Sequence, residues 1–174
     1  MGKEESLKLK KVETGIPGFD HIASGGVPVN RTTLVAGTSG SGKTVFGLQF
    51  LIEGIKRGEN GVLVTFEESM PDIIMNMNEF GWDINSLREQ QKIEFIDGSP
   101  QPGIETIEAG TYDLGALLVR LENAIKRVNA KRVTLDSIGA VFARFTNPTI
   151  IRNELFRIAS ALKEMGVTAL MTAE

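Results

Sequence analysis

The chain has 174 residues, 41% of them hydrophobic and 24% charged, with a formal net charge of −3, no cysteine and one histidine. That is enough for one domain with a hydrophobic core. The missing cysteines exclude disulfides and thiolate metal sites, and the single histidine excludes a histidine-rich metal centre. No apolar run approaches the roughly 20 residues that a membrane span requires. Met1-Gly2-Lys3-Glu4-Glu5 lacks the apolar stretch of a signal peptide, so a cytoplasmic location with no membrane partner is expected. The slightly negative charge argues against a dedicated nucleic-acid binder, whose affinity rests on neutralising phosphates with Lys and Arg.

Residues 1–12 are charged and read as an N-terminal tail; residues 13–174 read as one domain. Thr14-Gly15-Ile16-Pro17-Gly18-Phe19-Asp20 and Gly25-Gly26-Val27-Pro28 mark turns on either side of a short helix near residues 19–24, packed down by Phe19 and Ile22. His21 reads as a surface residue. A first core strand is expected over 32–36. A helix follows to Arg57, with Val45, Leu48, Leu51, Ile52 and Ile55 at helical spacing and Gly58 suited to its C-terminal cap. The apolar, β-branched run 61–66 predicts a buried strand. Pro71 begins a helix carrying Ile73, Ile74, Met77 and Phe80, which stops at Gly81; Trp82 reads as a core plug. A helical turn over 86–91 precedes an alternating strand over 92–97.

Residues 98–112 form a long connection of the kind that is often functional or mobile. Asp113 caps a helix to Val128 with Leu114, Leu117, Leu118, Leu121, Ala124, Ile125 and Val128 on one face. A strand over 132–137, a connection over 138–147, a helix from Pro148 to Met165 and a strand over 167–172 complete the chain. Strands alternating with helices predict an α/β fold with a mainly parallel sheet flanked by helices.

Between the first strand and its helix stands Gly37-Thr38-Ser39-Gly40-Ser41-Gly42-Lys43-Thr44. It fits the phosphate-binding P-loop pattern: Gly, any four, Gly, Lys, then Ser or Thr. Several backbone N–H groups must converge on phosphate oxygens, and glycines allow the tight path and close approach this requires. The helix opening at Lys43 presents free N–H groups and the positive end of its dipole to the anion. Lys43 reaches the β- and γ-phosphates, and the Thr44 hydroxyl suits Mg²⁺. The candidate nucleotide-binding residues are Thr38, Ser39, Gly40, Ser41, Gly42, Lys43, Thr44 and Val45.

Three further acids fall at carboxyl ends of predicted strands. Asp136 ends an apolar strand and suits a Mg²⁺-bound water, so Thr44 and Asp136 are the candidate metal residues. Glu67 and Glu68 are the candidate catalytic residues, because hydrolysis needs a carboxylate that orients water in line with the γ-phosphate. Neighbouring residues on a strand face opposite ways, and the spacing does not choose between them.

With these residues in place, the sequence resembles the RecA-superfamily P-loop ATPases, and within them the N-terminal ATPase half of the KaiC family. The resemblance is carried by 14–20, the P-loop at 37–44, Phe66-Glu67-Glu68, Phe80-Gly81-Trp82-Asp83, 132–137, Glu154-Leu155-Phe156-Arg157 and Met171-Thr172-Ala173-Glu174. It implies a RecA-like fold incomplete at its C-terminal end, ATP with Mg²⁺ as ligands, and slow ATP hydrolysis at subunit interfaces of a homo-oligomeric ring, a hexamer in the family. It also implies a KaiB-like partner. Its catalytic glutamates fall on Glu67 and Glu68, and the preference for ATP over GTP rests on it. A second P-loop domain is absent from the sequence, so the family's autokinase activity is not expected here.

Two other functions stay open. One is a nucleotide-dependent assembly module that hydrolyses little. The other is a relative of DNA recombinases and helicases, for which Phe142, Arg144 and Phe145 are the only hint.

Overall fold

A computed structural model describes residues 9–99, 113–143, 145 and 147–174. Its centre is a five-stranded parallel sheet. The strands are β3 (Thr32–Ala36), β4 (Gly61–Thr65), β5 (Ile93–Asp97), β6 (Arg132–Asp136) and β7 (Thr168–Ala173), arranged in space as β3-β7-β6-β4-β5. A two-stranded antiparallel ladder of β1 (Lys11–Val12) and β2 (Val27–Pro28) lies outside it. The mainly parallel sheet with flanking helices is the expected α/β, RecA-like fold.

Every pairing in the large sheet is parallel, so each chain crossover returns through a helix. The helices are α1 (Pro17–Ile22), α2 (Lys43–Lys56), α3 (Met70–Asn78), α4 (Ile84–Glu89), α5 (Leu114–Val128), α6 (Ile138–Phe142) and α7 (Pro148–Glu164). The period-2 alternation of strand side chains divides the core in two. Val62, Val64, Val133, Leu135, Ala169 and Met171 pack with α5, α6 and α7. Leu63 and Leu170 face the other way, against Leu48 and Leu51 of α2 and Ile73 of α3. Both faces of β4 and β6 are covered, which explains why their runs are apolar rather than alternating.

Helix ends follow local chemistry. Asp113 accepts from the Ala116 amide at 3.0 Å, Asp83 from the Ser86 amide at 3.0 Å and Asn147 from the Thr149 amide at 2.9 Å. Each is an N-cap that satisfies a donor otherwise orphaned in the first turn. At the N-terminus, Asp20 accepts from the Thr14 amide and hydroxyl and the Gly15 amide at 2.8–3.0 Å. These bonds close the 14–20 motif on itself.

Several expectations change. Residues 32–36 form an edge strand rather than a core one: among the described residues β3 pairs only with β7, and Leu34 is 57% exposed. Phe19 does pack, edge-on to Phe46 with ring centroids 5.2 Å apart, but Ile22 is 85% exposed. Helix α1 is too short to bury two sides. Phe80 also lies outside, beyond the end of α3 at Asn78, and stacks on half-buried Trp82 at 5.2 Å. The expected turn over 86–91 is a helix starting two residues earlier, after the Asp83 cap. The expected connection over 138–147 contains α6, whose Ile138, Val141 and Phe142 are buried. Residues 100–112 of the long connection lie outside the described residues. Among the described residues no helix is long and apolar enough to cross a membrane.

Candidate nucleotide site at the carboxyl edge of the sheet

Parallel strands deliver all their carboxyl ends to one edge, where ligands of open α/β sheets bind. Strand β3 ends at Ala36, and the chain turns through 37–42 before α2 begins at Lys43. Gly40 and Gly42 hold φ of +74° and +85°, in the left-handed region where a Cβ is strained. Gly42 is the N-cap of α2 and brings no capping side chain, so the N–H groups of the first turn are not consumed by one. The loop is tied to the sheet by the Gly37 amide, which donates to Ala173 O at 3.1 Å.

The Lys43 side chain is 11% exposed. Its Nζ donates to Gly37 O at 2.7 Å and Thr38 O at 2.9 Å and lies 3.7 Å from Glu174 Oε1.

Asp136 closes β6 and is buried. Its backbone carbonyl accepts from the Phe66 amide at 3.0 Å, and Oδ1 accepts from the hydroxyl of wholly buried Thr172. The peptide bond from Asp136 to Ser137 is cis.

After β4 the chain passes buried Phe66 to reach Glu67 and Glu68, both exposed. This turn is fixed from two sides. Thr65 Oγ1 donates to Glu68 O at 2.7 Å, and Ser99 Oγ donates to Phe66 O at 3.2 Å. Partial burial raises the Glu68 carboxyl above the ordinary glutamate range, helped by the negative charges of Asp136, Asp72 and Glu67.

One cavity of about 430 Å³ gathers these groups. Of the residues singled out in the sequence, Ser39, Gly40, Ser41, Gly42, Lys43, Thr44, Glu67, Glu68 and Asp136 line it, joined by Ser137 and Glu174. Thr38 and Val45 do not line it. Thr38 contributes its carbonyl to Lys43, and half-buried Val45 packs on the core beneath α2. His21 is exposed, as expected. Phe142 and Phe145 pack on each other with centroids 5.7 Å apart, whereas Arg144 lies outside the described residues. Thr172 and Glu174 were not legible as site residues, because only the pairing of β7 between β3 and β6 brings them here.

The charge of the wall is lopsided. Glu67, Glu68, Asp136 and Glu174 supply four carboxylates, and Lys43 is the one cationic side chain among the described residues that line the cavity.

The sheet order and the glycine loop opening onto a helix define a RecA-like α/β domain with a P-loop. A family model described as "ATPase: KaiC" matches residues 12–174. The circadian clock protein KaiC3 of Synechocystis sp. is 54% identical over 171 residues, covering 98% of this chain and 34% of the relative. The circadian clock oscillator protein KaiC of Thermostichus vulcanus is 48% identical over 173 residues, covering 99% and 33%. That of Prochlorococcus marinus is 49% identical over 169 residues, covering 97% and 34%. The chain belongs to the KaiC ATPase family. It spans about a third of the length of these curated relatives.

Proposed function

We propose that this domain binds ATP with Mg²⁺ at the carboxyl edge of its sheet and hydrolyses it slowly, at interfaces between subunits of a ring. The observation that carries the reading is the convergence of the glycine loop, Lys43, Thr44, Glu67, Glu68 and Asp136 on one cavity.

Each group has a distinct task. The loop amides and Lys43 bind the phosphates. The Thr44 hydroxyl and the Asp136 carboxylate are hard oxygen donors of the kind Mg²⁺ prefers, and both line the cavity. Thr172 occupies one oxygen of Asp136 and so orients the other. Among the described residues no three His, Cys, Asp or Glu side chains group as a metal site, which suits an ion held mostly by phosphate and water. When bound, Mg²⁺ neutralises charge on the phosphates. Glu67 and Glu68 orient the attacking water. Both line the cavity, and either carboxylate can accept the proton of that water.

The interface role rests on the charge count. A triphosphate brought to four carboxylates and one ammonium needs more positive charge than these residues supply. Mg²⁺ provides part of it, and basic groups of a neighbouring subunit provide the rest. We extend the reading to a homo-oligomeric ring, a hexamer in the family the sequence resembles, to a KaiB-like partner and to a role in circadian timing; kinship with the clock proteins named above supports the timing role.

The same charge count favours a second reading. A domain short of cations binds nucleotide to assemble and hydrolyses little. Glu67→Gln and Glu68→Gln, singly and together, separate the two. Turnover at least tenfold lower in one of them or in the pair is expected of the hydrolase, and unchanged turnover marks the assembly module. The binding assignment itself is tested by Lys43→Ala, which is expected to abolish ATP binding measured by calorimetry. Full retention of tight binding contradicts it.

A further inference from the structure

Lysine has three ammonium N–H donors. Two of those of Lys43 go to Gly37 O and Thr38 O, at 2.7 and 2.9 Å. The remaining side of the ammonium faces Glu174, whose Oε1 stands 3.7 Å away, beyond hydrogen-bond length but within ion-pair range. Glu174 is 63% exposed and lines the same cavity. It is therefore a carboxylate positioned where an anion would meet the lysine.

Glu174 directly follows β7, the strand between β3, which leads into the P-loop, and β6, which ends at Asp136. The order of these strands sets Glu174 at the same sheet edge as Lys43 and Asp136.

We infer that Glu174 is a built-in competitor for the phosphate-binding lysine, which a nucleotide must displace from Lys43 before its phosphates can be held. The inference rests on the nucleotide-site reading above and adds a regulatory residue to it. A phosphate approaching Lys43 meets both a partner already in place and a like charge. Binding therefore swings the Glu174 side chain aside, and the competitor lowers affinity for every phosphate chain that reaches Lys43. The pair is partly exposed and screened, so its effect is modest and falls with added salt.

Binding of ADP with Mg²⁺, measured by calorimetry on the whole chain, reports affinity without turnover. Glu174→Gln keeps the shape of the side chain and removes its charge. It is expected to tighten ADP by about two- to fivefold at low salt, with the gain shrinking at high salt. Glu67→Gln removes a carboxylate from the same wall and is expected to gain less, because Glu174 is the carboxylate within ion-pair range of Lys43 among the described residues. Affinity that is unchanged or weaker in Glu174→Gln overturns the inference while leaving the nucleotide site standing. An equal gain in Glu67→Gln overturns it too, because net charge rather than competition for Lys43 then explains the effect. Wild-type protein that binds no nucleotide overturns the functional reading and this inference with it.

Discussion

The hydroxyl of Thr172, at the end of β7, donates to Oδ1 of Asp136, at the end of β6. Both residues are buried. The bond occupies one carboxylate oxygen and orients the other; on the proposed reading of Asp136 as a metal residue, Thr172 is its supporting group. Thr172→Val keeps the shape and removes the donor. It is expected to raise the Mg²⁺ concentration needed for half-maximal ATP binding by about tenfold, read from Mg²⁺ titrations. An unmoved midpoint contradicts the metal role of Asp136.

Glu68 makes a prediction about stability rather than activity. Its carboxyl pKa is raised in the fold by partial burial and by Asp136, Asp72 and Glu67. A raised acid favours its neutral form when folded, so no penalty exists below the ordinary glutamate range, where the group is protonated folded or unfolded. The penalty grows as pH rises through that range and the folded-state pKa, and it is fully present above both. Glu68→Gln is therefore expected to melt at a higher temperature than wild type at pH 7, with the difference closing toward pH 3. A difference that persists at low pH would show a cause other than ionisation. Stability gained at the expense of activity is the usual signature of a functional carboxylate.

Arg132 supplies a test of the packing behind the site. It begins β6, is 1% exposed, and its guanidinium meets Glu59 Oε2 at 2.6 Å, Glu13 O at 2.8 Å and Phe50 O at 3.0 Å. It also lies 4.7 Å from the centroid of the Phe50 ring. Gly54 of α2 leaves room for it: a Cβ there would fall 2.4 Å from Arg132 Cδ and 3.0 Å from Glu59 O. Alanine ordinarily strengthens a helix interior. Here Gly54→Ala is expected to destabilise the fold by about 1–3 kcal/mol, the range for overpacking, read from urea unfolding. A neutral or stabilising result would show that Arg132 yields readily.

The P-loop, Asp136 and the Glu67-Glu68 pair were legible because each is a local signal: a fixed spacing, or an acid ending an apolar run. Parallel strands then carry such signals to one edge without further information. What escaped depends on pairing. Leu34 reads as core from its neighbours, yet β3 lies at the sheet edge with one side unpaired. Ile22 and Phe80 look like packing residues, but short or ended helices leave them exposed. Thr172 and Glu174 stand in a stretch that carries the family resemblance, but no residue pattern there assigns either of them a role at the site. Their place beside Asp136 and Lys43 comes from the order β3-β7-β6, in which β7 pairs with β3, more than 100 residues earlier in the chain, and with β6, which precedes it. Glu67 and Glu68 both line the cavity, so the structure keeps the pair together as the sequence does.

The account stands most directly on ATP turnover per chain, measured with Mg²⁺ as protein concentration is raised. On the proposed reading, the wall with four carboxylates and one lysine is completed by cations from a neighbour, so turnover per chain is predicted to climb and then saturate as subunits assemble. Turnover that stays near zero at every concentration while ATP still binds would contradict hydrolysis by this chain. A constant, nonzero rate per chain from the most dilute protein upward would contradict a site completed between subunits.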